Sequence, residues 1–190
     1  MKTGEMTTVA TLYVRTRFGE FEITATERGV RAVRPARAGV TAPAPRGGSA
    51  AARWHAEAAA TALRRHAAGD RSPFVGALDV PGSELERAVW ERVRAIPCGE
   101  TTTYGAIAAA IGMPGEARAV GAAVGANPVC ILVPCHRVVA LGGALRGFAW
   151  GLDLKRRLLE HEGAGSLSLF PEPGTPGPGT AEPDRRARAR

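Results

Sequence analysis

Residues 83–125 read SELERAVWERVRAIPCGETTTYGAIAAAIGMPGEARAVGAAVG. This stretch decides the architecture, because a strong helix start is followed by two short helices. Ser83-x-x-Glu86 has the form of a capping box, in which the serine hydroxyl and the glutamate satisfy each other's backbone amides. Leu85, Val89, Val93 and Ile96 then keep helical spacing as far as Pro97. Thr103 is placed to cap a helix from Tyr104 to Ile111 that stops at Gly112. Beyond GMPGE a further helix runs from Ala117 to Gly125 and ends before Pro128. Two short helices around a tight Gly/Pro turn suggest a helix-turn-helix, although any helical hairpin shares the pattern.

Upstream, the period changes from helix to strand. VATLYVRT (9–16), FGEFEITAT (18–26) and GVRAVR (29–34) are separated by Gly19 and Gly29, as in a short antiparallel meander. Residues 35–48 are rich in Pro, Gly and Ala and read as a loop. A helix from Ala50 to Ala68 follows, with Trp54, Ala58, Thr61 and Ala62 on the stripe expected to cover the sheet and Gly69 as its stop. Asp70 to Gly82, with Pro73 and Pro81, looks like a linker. From Ala164 onward the composition cannot bury a core, and disorder is expected. The expected class is α+β, in three parts. Residues 1–77 form a domain with a small antiparallel sheet and a covering helix. Residues 78–163 form a mostly helical, winged-helix-like domain holding the helix-turn-helix and the active site, and 164–190 form a tail.

The chain has 190 residues, 45% of them hydrophobic, enough for a real core. No stretch approaches the roughly 20 apolar residues that span a bilayer, and the first 20 residues lack the apolar run of a signal peptide, so a cytoplasmic protein with no membrane partner is expected. The formal charge of +7 favours a polyanionic partner, since phosphate neutralisation releases counterions. An arginine-rich bias that only solubilises would give the same charge. The arginines of the final RRARAR do not account for it, because Glu172, Glu182 and Asp184 nearly offset them. The three cysteines, Cys98, Cys130 and Cys135, include no CxxC pair, which argues against a disulfide framework and a structural zinc site.

Residues 129–139, VCILVPCHRVV, form an apolar run broken by Pro134 and the polar trio Cys135, His136 and Arg137. A thiol beside an imidazole can be activated as thiolate, so Cys135 and His136 are candidate nucleophile and base. Cys98 and Cys130 read as inert core residues. On the last helix, Leu154, Leu158 and Glu162 share a stripe that aims a carboxylate at the core. Glu162 would there satisfy its own need for a partner and the histidine's need for an orienter; a fraying helix end with Glu162 in water fits the same residues. The stripe Arg118, Gly121, Ala122, Gly125 puts one long cation on a face of small residues. It reads either as a surface built for close approach or as tight helix packing with Arg118 solvated.

Together, NPVCILVPCHRVV (127–139), TTTYGAIAAAIG (101–112), ARAVGAAVGANP (117–128), GFAWG (147–151) and LLEHEG (158–163) resemble the O6-alkylguanine-DNA alkyltransferases, in unbroken order over residues 78–163. Residues 1–77 resemble that family's N-terminal domain only in outline. The resemblance implies DNA repair by a single irreversible transfer of a methyl or small alkyl group from O6-alkylguanine to Cys135, and leaves O4-alkylthymine open. It further implies that His136 deprotonates Cys135 through a water, Glu162 orients His136, Asn127 braces the turn and Tyr104 donates a proton toward the departing guanine. Arg137 would be a structural support. The implied partner is double-stranded DNA, bound as a monomer through the minor groove with the damaged nucleotide flipped out. Arg118 would fill the gap, with Ala119, Gly121 and Ala122 against the DNA.

Departures from the family pattern shape the expected pocket. Phe148 stands where many members have tyrosine, Ala149 where some have serine and Trp150 where some have glycine. A pocket for small alkyl groups follows. Members with a zinc site carry cysteines in the N-terminal domain, and none precedes Cys98, so neither metal nor cofactor is expected. The rivals are alkyltransferase-like binders without a nucleophile, which Cys135 opposes; a methylation-sensing regulator, whose cysteine-rich module is missing; and a thiol hydrolase using Cys135 and His161. A zinc nucleobase deaminase is excluded, because the PCxxC that its signature requires does not occur.

Overall fold

A computed structural model of the chain describes residues 9–36 and 45–164. β1 (Ala10–Thr16), β2 (Gly19–Thr26) and β3 (Gly29–Pro35) form the expected antiparallel meander. A two-residue strand, β4 (Arg46–Gly47), pairs with the start of β1 and gives the order β3-β2-β1-β4. The loop expected at 35–48 thus returns to the sheet at its end; residues 37–44 lie outside the described residues. Alternation fixes the register: Leu12 faces Ile23 and Val14 faces Phe21, all four buried.

α1 (Ala50–Ala67) covers that face and is capped by Ser49, whose hydroxyl accepts from the Ala52 amide at 3.2 Å. Its buried stripe is not the expected one. Ala52, Ala56, Ala59, Ala60 and Leu63 are inside, while Thr61 is exposed and Trp54 is 62% exposed. Alanines let the helix backbone approach the sheet closely, where an indole would hold it away. A helix so rich in alanine carries little periodic contrast by which a face could be chosen.

Residues 70–82 are no free linker but run along the outer edge of β3. The Val30 amide donates to the Ala77 carbonyl at 3.0 Å and the Asp79 amide to Val30 at 2.9 Å. Gly29 is required by that approach, because a Cβ there would meet the Ala77 oxygen at 2.7 Å. The same edge continues into the cysteine-bearing segment, where Val33 donates to Pro128 at 2.8 Å and Cys130 donates to Val33 at 3.1 Å. One hydrophobic cluster accordingly reaches from Leu12 and Ile23 through Val89 to Val129 and Leu158.

α2 (Glu84–Arg94) opens on the predicted capping box. Thr103 caps α3 (Tyr104–Ala110) by accepting from Ala106 at 3.1 Å, and α4 (Ala117–Gly125) follows the Gly/Pro turn. The Trp90 indole N–H donates to the Ala123 carbonyl at 2.8 Å and ties α2 to α4. Two short strands were not foreseen: β5 (Thr102–Thr103) pairs in parallel with β6 (Val138–Val139), linking the start of α3 to the chain just after Cys135. Such two-residue strands leave no period in sequence. α5 (Leu152–His161) ends with Glu162 as its C-cap. Ala164, expected to begin the tail, is instead buried against Val139 and Leu159; the rest of that expected tail, residues 165–190, lies outside the described residues. The protein is thus a mixed fold of helices and a small antiparallel sheet. No described helix is long and apolar enough to cross a membrane.

Candidate active site

The segment from Asn127 to Arg137 is a chain of tight turns. Asn127, 3% exposed, holds it from within: its Oδ1 accepts from the Val129 amide at 3.1 Å and its Nδ2 donates to the Val133 carbonyl at 2.9 Å. The same Nδ2 lies 3.2 Å from Cys135 Sγ, as a donor to sulfur. Ile131, within the turn, sits at φ 71°. For a β-branched residue this left-handed conformation costs about 1–2 kcal/mol. It persists because flanking hydrogen bonds, Leu132 to Cys130 at 2.9 Å and Val133 to Val129 at 3.1 Å, over-determine it. Cys135 opens a one-turn 3-10 helix, Cys135–Arg137, and is buried.

The surroundings of the Cys135 sulfur favour thiolate. A hydrogen bond from the Cys130 thiol pulls its pKa below the usual thiol value, burial opposes this, and Asn127 and the Lys155 cation add to the lowering. Cys130 moves the other way, well above a normal thiol, because it keeps its proton as hydrogen-bond donor to Cys135 and is itself buried.

His136 and Glu162 are both fully enclosed, with Nε2 to Oε1 at 2.9 Å. Burial lowers the pKa of His136 against the pull of the carboxylate, so the ring is neutral at neutral pH. A carboxylate accepting at Nε2 assigns the proton there and leaves Nδ1 with its lone pair. Nδ1 is buried and has no hydrogen-bond partner among the described residues. For Glu162, burial alone would raise the pKa; the bonds from His136 and Arg137 reverse that and hold it well below the carboxylate range. Arg137 grips Glu162 with Nε on Oε2 and Nη2 on Oε1, each at 2.8 Å, and reaches the Ile96 carbonyl with Nη1 at 2.6 Å.

On the other side of the thiol, Lys155 is fully buried and donates to the Val138 carbonyl at 2.6 Å and to Arg146 at 2.9 Å. Burial pushes its pKa down to about 8, opposed by the charge on Cys135. The Tyr104 hydroxyl donates to the Arg146 carbonyl at 2.9 Å, and burial together with the Cys135 charge raises its pKa. Phe148 and Trp150 are half-buried against the core, whereas Ala149 is exposed. On α4, Arg118 and Ala122 are exposed and Ala119 and Gly121 half-buried. A Cβ on Gly121 would lie 3.8 Å from the Tyr104 ring, so the small-residue face adjoins Tyr104.

Residues 84–164 match the model of the DNA-binding domain of 6-O-methylguanine DNA methyltransferase. A methylated-DNA–protein-cysteine methyltransferase of Mycolicibacterium paratuberculosis is 50% identical over 111 residues, 57% of this chain and 67% of the relative. The chain belongs to the methylated-DNA–protein-cysteine methyltransferase family. The Salmonella typhimurium protein of the same name is 56% identical over 82 residues, 43% of this chain and 48% of that one. Among solved structures, Mycobacterium tuberculosis OGT in complex with DNA gives a TM-score of 0.68 at 34% identity, covering 80% of this chain and 91% of that one. The R37K form of the same protein gives 0.69 at 33% identity, covering 82% and 93%.

The residues singled out in sequence form two hydrogen-bonded pairs, Asn127–Cys135 and His136–Glu162, joined by the adjacent backbone of Cys135 and His136, and Lys155 lies over the rings of Tyr104 and Phe148. Of the two readings of Glu162, the buried pair holds and the frayed end does not. His161, offered for a thiol hydrolase, faces elsewhere: its Nε2 lies 2.7 Å from the His66 carbonyl and its ring packs edge-on to Phe18. Sequence reasoning passed over three contributors in this methyltransferase-family site. Cys130, taken as inert, hydrogen-bonds the nucleophile candidate. Lys155 sits one helical turn before Leu159 on the buried side of α5, a position readable in the spacing but indistinguishable there from a surface lysine. His66 comes from α1 and places Nε2 3.5 Å from Glu162 Oε1, a contact across nearly a hundred residues that no local pattern announces.

Proposed function

We propose that this chain repairs alkylated DNA by transferring a methyl or small alkyl group from O6 of guanine, once and irreversibly, to Cys135 Sγ. The observation that carries this reading is the buried Glu162–His136 pair beside a thiol whose sulfur accepts bonds from Asn127 and Cys130. His136, neutral and oriented by Glu162, takes the Cys135 proton by way of one water. The thiolate attacks the alkyl carbon, the carbon–O6 bond breaks with its electron pair moving to guanine, and Tyr104 supplies the ring with a proton. The product thioether has no leaving group, so each molecule acts once.

For the DNA, α3, the turn at 111–116 and α4 serve as a helix-turn-helix within a winged-helix-like domain of residues 78–163, apart from an N-terminal domain of 1–77. The face of Arg118, Ala119, Gly121 and Ala122, exposed at Arg118 and Ala122, enters the minor groove with the protein a monomer, and Arg118 occupies the space of the flipped nucleotide. Arg118→Ala is expected to weaken transfer on duplex DNA by about 10–100-fold, as an unfilled stack costs a few kcal/mol, while free O6-methylguanine base reacts as before. Equal losses on base and duplex would reject the flipping role.

Phe148 and Trp150, half-buried against the core, with Lys155 over the Phe148 ring, serve as bulky walls of the alkyl pocket. O6-benzylguanine is therefore expected to inactivate the protein far more slowly than a methylated oligonucleotide; comparable rates would remove the size argument. The reaction itself is tested by intact mass spectrometry after incubation with a duplex holding one O6-methylguanine, followed by peptide mapping. One added methyl, stoichiometric and on Cys135, is expected. Tight binding with no mass change would make the chain a damage-binding protein instead.

A further inference from the structure

We propose that His66, Cys98 and Glu162 form a site for one transition-metal ion of the zinc class, and that its occupation draws Glu162 away from His136 and switches the thiol relay off. The first half stands independently of the transfer reaction; the second rests on it.

The three residues come from the last turn of α1, the turn after α2 and the C-cap of α5, yet their ligand atoms all lie within 4.8 Å of one another. An imidazole nitrogen, a thiol sulfur and a carboxylate oxygen are the donor set that zinc accepts, with a fourth position for water. A tetrahedral ion bonded at about 2.0–2.3 Å keeps its donors roughly 3.3–3.8 Å apart, so the cluster needs to close by about 1 Å. The absence of cysteines before Cys98 gave no warning of this, because two of the donors lie in the C-terminal half.

His66 has a group that nothing else uses. Its Nε2 is buried without a hydrogen-bond partner among the described residues, and the 3.5 Å approach to Glu162 lacks hydrogen-bond geometry. The ring is held between Phe18, at 6.0 Å, and His161, at 5.6 Å between centroids. Burial depresses its pKa to about 4, so at neutral pH it offers a lone pair without first losing a proton. Burial, with the neighbouring Glu162 carboxylate, pushes the Cys98 thiol up and keeps it protonated until a cation displaces the proton.

Two guanidiniums, Arg137 and Arg71, face the cluster; they oppose a cation but favour the Cys98 thiolate that would bind it. Arg137 can keep Glu162 Oε2 through Nε while its Nη2 gives up Oε1, leaving Oε1 for the metal. Oε1 is the oxygen that His136 Nε2 holds at 2.9 Å. Metal and histidine therefore compete for one atom.

The test uses the full chain carrying Cys135→Ser, which removes the nucleophile as an alternative ligand, titrated with cobalt(II). One equivalent is expected to bind with a thiolate-to-cobalt charge-transfer band and the visible bands of a tetrahedral site, both erased by zinc(II). Adding Cys98→Ser should abolish the band, and His66→Gln, made separately, should weaken binding or change the spectrum; circular dichroism checks that each variant is folded. No charge-transfer band, or one that survives Cys98→Ser, overturns the site. In the wild-type chain, equimolar zinc is expected to slow methyl transfer at least about tenfold, reversibly with a chelator, and to leave His66→Gln at its own zinc-free rate. Unchanged transfer by zinc-loaded wild type, or equal inhibition of His66→Gln, overturns the switch and not the site.

Discussion

Replacing Glu162 with alanine is expected to destabilise the fold by about 3–5 kcal/mol, the usual cost of removing one partner from a buried charged pair, and to slow transfer to Cys135 by roughly 10²–10⁴-fold. Two groups are stranded at once. Arg137 loses both carboxylate contacts and keeps only the Ile96 carbonyl, and His136 loses the acceptor that sets its tautomer. Thermal unfolding should fall by on the order of 10 °C for a domain of this size. Glu162→Gln separates the two effects, because it keeps the shape while turning an amide toward Arg137. A Gln variant that transfers at the wild-type rate would show that Glu162 supports the fold without orienting the base.

Stability is expected to fall steeply between pH 6.5 and pH 4, beginning well above the range in which ordinary carboxylates titrate. His66 is ordinary in the unfolded chain, near 6.5, and is depressed to about 4 when folded, with burial the cause. Between those values the unfolded state binds the proton and the folded state does not, so stability is full above 6.5 and is lost as pH falls toward 4. His66 alone accounts for roughly 2 kcal/mol at pH 5; His136, also depressed by burial, acts in the same direction. Glu162, held low by His136 and Arg137, adds a further loss at more acidic pH in the same sense, since its folded-state pKa also lies below its unfolded one. Urea melts at pH 7.5 and pH 5 measure the difference. His66→Phe should lose most of the slope above pH 5; an unchanged slope would place the titration elsewhere.

The capping box at Ser83, the Thr103 cap and the β1–β2–β3 meander were legible because each is a local contract between residues a few positions apart. The cysteine, its histidine and the carboxylate were legible for a related reason. A thiol and an imidazole inside an apolar run, and an acid on a buried helical stripe, are costly placements that demand a partner. The buried face of α1 was not legible, because a run of alanines has almost no amphipathic contrast and the one large residue, Trp54, turned outward.

What the sequence by itself determined is therefore the set of elements and the identity of the candidate nucleophile, both encoded at short range by spacing, caps and chemistry. What only the tertiary structure decided is the company that group keeps. The fold brings Lys155 from α5, Cys130 from across the turn and His66 from the far end of α1 around one thiol and one carboxylate. The Lys155 and His66 contacts span many residues, and the low-dielectric interior that strengthens all three exists only once the sheet, α1 and α5 have closed over residues 127–137.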